Sequence, residues 1–241
     1  MKVSIVTPVY NGEKKIADCI ESVQSQDYAD IEHIIIDGGS TDNTLNIIKS
    51  YGVKYISEKD AGVYDAFNKG VSLSSGEVVH ILNSDDVYRD YDRVSLVISE
   101  MMANDLDVCH GYVELSSSDR RYVKIIGKDV SKMDLLKKMR VAHPSTFVRR
   151  EVYSEYGGFS VGFKVAADHE FLLRIWNNVN VGFIPEIIVN MSVGGISTSQ
   201  YKKSYAESFA ASLINGFSPW KAFYYYNYEM IKRRFIGVIK R

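Results

Sequence analysis

The chain has 241 residues, of which 46% are hydrophobic and 24% are charged, and its formal net charge at pH 7 is −1. This composition is typical of a globular protein with one large domain and room for an appendage, and the near-neutral charge argues against nucleic acid as a partner. The two cysteines, Cys19 and Cys109, are too few for a disulfide framework, so a reduced setting is expected. The first residues enter a strand pattern directly and no apolar stretch is long enough to cross a bilayer, so we expect no signal peptide and a cytoplasmic location.

Strands and helices alternate in the first part of the chain. Apolar, β-branched runs predict strands over Val3–Val9, Ile31–Ile36, Lys54–Ser57 and Glu77–Leu82. Apolar residues at helical spacing predict helices over Glu13–Gln26, Thr44–Tyr51 and Val63–Ser74. This alternation with short loops is typical of an α/β fold with a mostly parallel, doubly wound sheet and helices on both faces.

The pattern loosens after about residue 90. Helices are predicted over Asp92–Asn104, Lys132–Met139 and Asp168–Trp176. Strands are predicted over Asp107–Glu114, Arg121–Ile126, Ser145–Arg149 and Val181–Val189. Without a repeat or a low-complexity linker, the chain is expected to form one compact domain over residues 1–200 and a helical tail over residues 201–241.

An apolar strand that ends in adjacent acids is the most informative feature of the chain. The run Val78–Asp86 passes from buried-strand residues into Asn83, Ser84, Asp85 and Asp86. Ligands of open α/β sheets bind beyond the carboxyl ends of the strands, and carboxylates there suit a hard divalent cation that in turn holds a diphosphate. The alternative is a solvated turn after a core strand.

Two further turns are expected to meet this run. If the sheet is parallel, the segments Thr7–Asn11 and Asp37–Ser40 lie at the same edge, where Gly38 and Gly39 permit close approach of a ligand. An ordinary strand-to-helix turn explains the second segment equally well. The chain contains neither a Gly-x-Gly-x-x-Gly nor a Gly-x-x-x-x-Gly-Lys motif, so a phosphate ligand would depend on a cation and a few basic groups.

These segments, in their order and spacing, resemble the signature blocks of the family 2 glycosyltransferases. The matching blocks are Val6–Gly12, Asp37–Thr44, Gly62–Gly70 and Asn83–Asp86, and the resemblance covers roughly residues 1–200. It implies a GT-A fold, a Rossmann-like sheet, a nucleotide-sugar donor and a Mg²⁺ or Mn²⁺ cofactor. Residues 1–110 would then bind the nucleotide sugar and residues 111–200 the acceptor. The most similar members build bacterial surface polysaccharides such as O-antigen and exopolysaccharide.

The resemblance assigns donor-site roles residue by residue. It implies that Asp37 accepts from the uracil ring, that Asp85 reaches the ribose or the metal, and that Asp86 binds the metal. The residues that it places in contact with substrate are Thr7, Pro8, Tyr10, Asp37, Asn68, Asp85 and His143.

Two positions depart from the family pattern. Asn83 stands where an Asp is usual, which leaves less protein charge on the cation, so binding of the cation is expected to depend on the nucleotide. Phe67 stands where many relatives carry an Arg, and Lys59 or Lys69 is the candidate replacement.

Asp168 is the candidate general base for transfer with inversion. It lies on a predicted helix beside Phe171 and Leu172 and resembles the family's second acidic motif; an N-cap is the alternative. Glu170 is the reserve candidate. His143 is interpreted as a metal ligand or acceptor contact, against an ordinary surface histidine, and residues 194–197 as a loop that closes over the diphosphate, against a plain turn.

The tail adds a possible membrane contact. The segment 218–241 carries six basic side chains and one acidic one, together with a cluster of the chain's 17 tyrosines. A basic helix with aromatic residues suits an anionic membrane surface, which fits a peripheral position on the inner face of the cell membrane and a polyprenyl-diphosphate-linked glycan as acceptor. The alternative is a helix packed on the core with a solvated basic face.

The function indicated is inverting, metal-dependent transfer of a hexose from a nucleotide sugar, with UDP as the expected nucleotide, to a sugar hydroxyl of a glycan. Two alternatives stay open. A sugar nucleotidyltransferase would need a Gly-rich basic loop after the first strand, where this chain has Tyr10–Glu13. A non-catalytic nucleotide-sugar binding module is supported by Asn83 and opposed by Asp168.

Overall fold

A nine-stranded sheet organises the residues that the computed structural model describes, which are 1–117, 121, 123–194 and 199–239, with side chains described as far as residue 233. The strands are β1 (Val3–Val9), β2 (Ile31–Asp37), β3 (Lys54–Ser57), β4 (Val78–Ile81), β5 (Asp86–Tyr88), β6 (Val108–Ser116), β7 (Val123–Ile126), β8 (Phe147–Arg149) and β9 (Val181–Ser192). Their order is β3-β2-β1-β4-β8-β6-β9-β5, with β7 beside β6.

The first four strands form the parallel half of the sheet. The pairs β1–β2, β1–β4 and β2–β3 are parallel, as is β6–β9, whereas β5, β7 and β8 pair antiparallel to their neighbours. The predicted α/β fold is therefore confirmed, with a parallel half built from the first four strands, while the sheet as a whole is mixed. Of the antiparallel strands, β7 and β8 belong to the second half of the chain, where the strand–helix alternation was weaker, and β5 directly follows the Asn83–Asp85 turn.

The helices cover both faces of this sheet. They are α1 (Ile16–Gln24), α2 (Thr44–Ser50), α3 (Val63–Leu73), α4 (Arg93–Ala103), α5 (Lys132–Lys137), α6 (Arg150–Tyr156), α7 (Ala167–Ile175), α8 (Tyr201–Ile214) and α9 (Pro219–Ile239). Most predicted bounds hold to within three residues. The predicted strand over Ser145–Arg149 starts later because a 3-10 turn covers His143–Ser145, where the Ser145 hydroxyl donates to the carbonyl oxygens of Gly111 and Ala142.

The sheet register brings three strand ends to one edge. Val9 is paired with Asp37, and Val6 is paired with Ile81, so β1, β2 and β4 end close together. Because β1 lies between β2 and β4, this edge is the place where successive connections leave in opposite directions, which is the usual ligand site of such sheets.

The tail helices pack onto the domain. Ala211 of α8 and Ala222 of α9 are buried in the same apolar cluster as Leu135 and Phe171, and Phe217 of the connecting turn joins them. Lys138 donates to Glu229 of α9 at 2.6 Å, so the acid of the segment 218–241 faces the domain. None of the described helices is both long and apolar enough to cross a bilayer.

Candidate active site

A cavity of about 1270 Å³ opens at the edge where β1, β2 and β4 end. Its first wall comes from the three turns expected to converge, through Pro8, Tyr10, Gly38, Gly39, Asn83, Asp85 and Asp86. The rest of its lining comes from Tyr64 of α3 and from later elements, through His143, Asp168, Tyr201, Tyr205, Tyr225 and Tyr226. A concave site that combines acids with aromatic rings can take a polar ligand with flat, partly apolar faces.

Asp86 is a buried carboxylate that is only partly paired. It is 1% exposed, and its Oδ2 accepts a hydrogen bond of 2.9 Å from Asn83 Nδ2. Oδ1 has no partner with hydrogen-bond geometry among the described residues. Burial first, and then the charge of Asp85, raises the pKa of Asp86 to about 8, although Asn83 and the backbone of Ser192 act in the opposite direction.

This environment fits a divalent cation. A buried carboxylate oxygen without a partner is costly unless a positive charge or a donor faces it, and the exposed Asp85 lies next to it in the chain and on the same cavity wall. Within the described residues no group of three or more His, Cys, Asp or Glu side chains is placed to coordinate a metal ion on its own. A cation held by Asp85 and Asp86 would take most of its remaining ligands from water and phosphate, as Mg²⁺ commonly does.

Asp37 ends β2 at the expected edge of the sheet, with its side chain turned into the fold. Its carboxylate is fully buried, accepts hydrogen bonds from the backbone and hydroxyl of Ser40 and from the Ser57 hydroxyl, and does not line the cavity. The acid shapes the turn that presents Gly38 and Gly39 to the cavity. The backbone, and not the Asp37 carboxylate, faces the ligand space in this structure.

Thr7 and Asn68 are also turned away from the cavity. Thr7 is fully buried in β1, and its Oγ1 lies 2.9 Å from His33 Nε2. The Asn68 amide donates to the Phe159 carbonyl and accepts from the Phe159 N–H, both at 2.8 Å. Neither residue lines the cavity, whereas Pro8 and the largely exposed Tyr10 do.

Asp168 lies in the first turn of α7 and lines the same cavity as Asp85 and Asp86. The N-cap of α7 is Ala166, so Asp168 is not the cap residue. Its Oδ1 accepts a hydrogen bond of 3.1 Å from the Tyr64 hydroxyl. Burial and the nearby charge of Asp168 raise the pKa of Tyr64, so the phenol stays protonated and remains a donor.

Glu170 serves a structural role. It is 5% exposed and pairs with Arg174 through two contacts of 3.0 Å, and the Ser160 hydroxyl donates to it at 3.1 Å. A carboxylate whose oxygens are engaged by a guanidinium and a hydroxyl in this way is not free to reach a substrate. The geometry therefore favours Asp168 over Glu170 as a base.

His143 is not a surface histidine in this structure. It lines the cavity, its Nε2 is buried without a partner among the described residues, and its ring packs against Phe67 and Phe159. Burial lowers its pKa, with the charge of Asp168 acting the other way. A neutral imidazole with one free ring nitrogen can exchange a hydrogen bond with a ligand.

The candidate basic residues separate into two groups. Lys69 forms ion pairs with Glu58, Asp60 and Asp65, at 2.8, 2.7 and 3.4 Å, so it is held away from a ligand. Lys59 lines the cavity.

Sequence reasoning missed Lys164 and the aromatic side chains that the tail contributes to the cavity. The concentration of tyrosines in the tail could have indicated these aromatic contacts. Gly194 also lines the cavity, while residues 195–197 of the expected closing loop lie outside the described residues.

Comparison with known proteins places the chain in a family. The family model described as glycosyl transferase family 2 matches residues 4–157, and the chain belongs to this family and is a glycosyltransferase. A PGL/p-HBAD biosynthesis glycosyltransferase of Mycobacterium bovis is 33% identical over 184 residues, covering 73% of this chain and 70% of that protein. Glycosyltransferase GlyG of Streptococcus pneumoniae is 31% identical over 135 residues, covering 53% and 44%.

Solved structures support the GT-A fold. S. aureus TarS 1–349 in complex with UDP superimposes with a TM-score of 0.72 at 19% identity, over 92% of this chain and 68% of that one. The mannosyltransferase PcManGT of Pyrobaculum calidifontis, in complex with GDP-Man and Mn²⁺, gives 0.68 at 17% identity, over 95% and 68%. Membership of the family favours glycosyl transfer over the sugar nucleotidyltransferase alternative.

Proposed function

We propose that this glycosyltransferase moves a hexose from a nucleotide sugar, with UDP as the nucleotide, to a sugar hydroxyl of a glycan, with inversion at the anomeric carbon. The observation that carries the proposal is the placement of Asp86 and Asp168 on the walls of one cavity. Residues 1–110 then bind the donor and residues 111–200 contribute the acceptor side. The nucleotides bound by TarS and PcManGT support a nucleotide-sugar donor.

In this proposal Asp85 and Asp86 hold a Mn²⁺ or Mg²⁺ ion. When bound, the cation supplies positive charge against the leaving diphosphate. Asp86 is suited to this because its Oδ1 is buried and unpartnered within the described part of the chain. Tyr10 and the Gly38–Gly39 backbone border the space left for the nucleoside.

Asp168 acts as general base. Its carboxylate takes the proton of the acceptor hydroxyl while the acceptor oxygen bonds to the anomeric carbon. The bond between that carbon and the phosphate oxygen breaks, and the nucleoside diphosphate leaves with the electron pair. The Tyr64 hydrogen bond to Oδ1 fixes the carboxylate and leaves Oδ2 to accept the proton. Attack from the opposite face converts an α-linked donor into a β-linked product.

The acceptor is a lipid-linked glycan, with polyprenyl diphosphate as the expected anchor, and the enzyme works at the inner face of the cell membrane. Support comes from the outer face of α9. Its exposed apolar side chains recur at helical spacing: Trp220, Phe223, Tyr224, Tyr228 and Ile231. The exposed Lys221 and Lys232 lie along the same face. Aromatic side chains flanked by lysines suit the interface of an anionic bilayer.

The opposite face of α9 faces the cavity through Ala222, Tyr226 and Glu229. One helix would therefore separate the lipid surface from the acceptor site, so a glycan carried by a membrane lipid needs to reach only past this helix. This arrangement favours a membrane-bound acceptor over a free soluble sugar.

A panel of UDP-sugars incubated with enzyme and Mn²⁺ tests the proposed function without knowledge of the acceptor. We expect slow release of UDP from one sugar nucleotide in preference to its epimers, because water replaces the acceptor in the site. GDP-sugars serve as the comparison set. Equal, background-level release from every UDP- and GDP-sugar would contradict the proposal.

A further inference from the structure

We infer that Glu207 of α8 is a positioning residue for Asp168. The inference rests on the proposed role of Asp168 as base, and it extends the catalytic unit to α8, the first helix of the tail. It assigns to the tail a function separate from any contact with a membrane.

The Glu207 carboxylate binds three successive backbone N–H groups. Lys164 N donates to Oε1 and Oε2 at 3.0 and 2.9 Å, Val165 N donates to Oε2 at 2.7 Å, and Ala166 N donates to Oε2 at 3.0 Å. Successive N–H groups that converge in this way form an anion-binding concavity, and hydrogen bonds to an ionised acceptor are the stronger kind. Here the anion is supplied by a side chain from 41 to 43 residues further along the chain.

The bound segment leads directly into the base. Ala166 is the N-cap of α7, and Asp168 follows two residues later in the first turn. Lys164 Nζ also donates to the carbonyl of Ala61, at 3.4 Å, just before α3 and Tyr64. Asp168 is thus held by its backbone through Glu207 and by its side chain through Tyr64.

The same helix forms part of the cavity wall. Tyr201, Ser204, Tyr205, Ser208 and Phe209 of α8 line the cavity, and Glu207 reaches from this helix to the segment before the base. An acceptor that contacts α8 therefore touches the element that holds the Asp168 backbone. Displacement of a base by about 1 Å can lower a rate by roughly 100-fold, so this contact is expected to affect turnover more than donor affinity.

Glu207→Ala and Glu207→Gln test the inference. Lys203→Ala is the matched control, because Lys203 is exposed on the same helix. UDP affinity in the presence of Mn²⁺ and the steady-state kinetics of UDP release from the preferred UDP-sugar would be measured for each. For Glu207→Ala we expect kcat to fall roughly 10- to 100-fold, with donor KM and UDP affinity within about twofold of wild type. The Gln variant keeps an uncharged acceptor for the N–H groups, so its kcat should lie between the values of wild type and of Glu207→Ala.

Hydrogen exchange of the 164–166 amides keeps the test decisive if the Ala variant is unstable. In the Gln variant these amides should exchange faster than in wild type while β1 stays protected. An unchanged kcat in both variants, or a fall in kcat matched by an equal loss of UDP affinity, would overturn the positioning role. If wild-type enzyme releases no UDP from any sugar nucleotide, the proposed function fails instead, whatever the Glu207 variants do.

Discussion

The Tyr64 hydroxyl donates a hydrogen bond of 3.1 Å to Oδ1 of Asp168, and the two residues lie 104 positions apart in the chain. Tyr64 belongs to α3, which precedes β4, the strand that leads into Asp85 and Asp86. Asp168 belongs to α7 in the second half of the chain. The Tyr64 ring stacks on Phe159 and meets Phe67 edge-on, so the phenol has little freedom to move. The contact therefore connects α3 with α7, that is, the proposed donor half with the proposed acceptor half, at the candidate base.

Replacing the base should abolish transfer and leave donor binding intact. Asp168→Asn keeps the shape of the side chain and removes its ability to take a proton, so kcat should fall roughly 10²- to 10⁴-fold. UDP affinity by calorimetry should be unchanged. Glu151→Gln, at an exposed position of α6, is the matched control. Turnover of the Asn variant within threefold of an active wild type would remove Asp168 as the base. Absence of turnover in the wild type itself would favour the binding-module alternative.

Tyr64→Phe isolates the hydrogen bond to Asp168. The Phe ring preserves the packing against Phe67 and Phe159, so stability should change little. The Asp168 carboxylate loses its orienting donor, and kcat should fall roughly 3- to 30-fold with donor KM nearly unchanged. Tyr153→Phe, in the same aromatic cluster, should leave kcat at the wild-type value. Equal kinetics for the two variants would show that the hydrogen bond has no role in turnover.

Metal dependence should follow from Asp86. EDTA should abolish UDP release and Mn²⁺ should restore it, and Asp86→Asn should weaken Mn²⁺ binding measured calorimetrically in the presence of UDP. Without metal the same variant should be at least as stable as wild type, because it removes a buried carboxyl group that is costly to ionise and has an oxygen without a partner among the described residues. Full activity in excess EDTA, or unaltered Mn²⁺ binding by the variant, would contradict the assignment.

The outer face of α9 should bind anionic vesicles. Replacing Trp220, Tyr224 and Tyr228 with Ser removes exposed rings without touching the cavity-facing side, so flotation with phosphatidylglycerol vesicles should fall several-fold. Tyr91→Ser removes a ring that is 66% exposed elsewhere on the domain and should have no effect. Pure phosphatidylcholine vesicles should bind wild type more weakly. Flotation that is unchanged in the triple variant would exclude this face as the membrane contact.

Acid should destabilise the fold through its histidines. All five (His33, His80, His110, His143 and His169) have pKa values lowered by burial, to about 4 for His33 and about 3 for His80.

The unfolded chain binds protons near pH 6.5 and the folded one does not, so stability is present above that pH and is lost as pH falls toward 4. His33, His80 and His110, with folded-state pKa values of about 4, 3 and 4, should each contribute roughly 1 kcal/mol of loss between pH 7 and 5.5, and His143 and His169 should act in the same direction. The raised pKa of Asp86 has the opposite effect, because the folded chain binds this proton more readily than the unfolded one and so gains stability as pH falls. This single group opposes five histidines. Urea unfolding at the two pH values measures the sum, and equal or greater stability at pH 5.5 would contradict it.

The parallel half of the fold could be predicted because its signals are local. β1 is found at its predicted bounds, since a β-branched run stops at a turn. β5 escaped prediction because it has three residues and exists through its pairing with β9. α8 lies within the predicted helical tail. α6 was missed because it has only seven residues, too few for a helical period to be recognised, and it packs against α7.

The candidate site could be located from sequence more readily than its contacts could be assigned. Asp86 and Asp168 line the cavity. By contrast, the Asp37 side chain accepts a hydrogen bond from the Ser57 hydroxyl, and the Asn68 side chain donates to the Phe159 backbone. A motif records that a residue type is needed at a position and does not reveal whether the side chain touches the ligand or shapes the loop. The role of Glu207 depends on contacts across more than 40 residues of chain, which periodicity cannot detect.

A crystal structure with UDP and Mn²⁺ bound is the most direct test of the central claim. The diphosphate should lie beside a Mn²⁺ ion coordinated by Asp86, the nucleoside should lie between Tyr10 and the Gly38–Gly39 backbone, and Asp168 should face the open end of the diphosphate. UDP bound outside this cavity, or a metal ion without a carboxylate oxygen of Asp86 in its shell, would contradict the account.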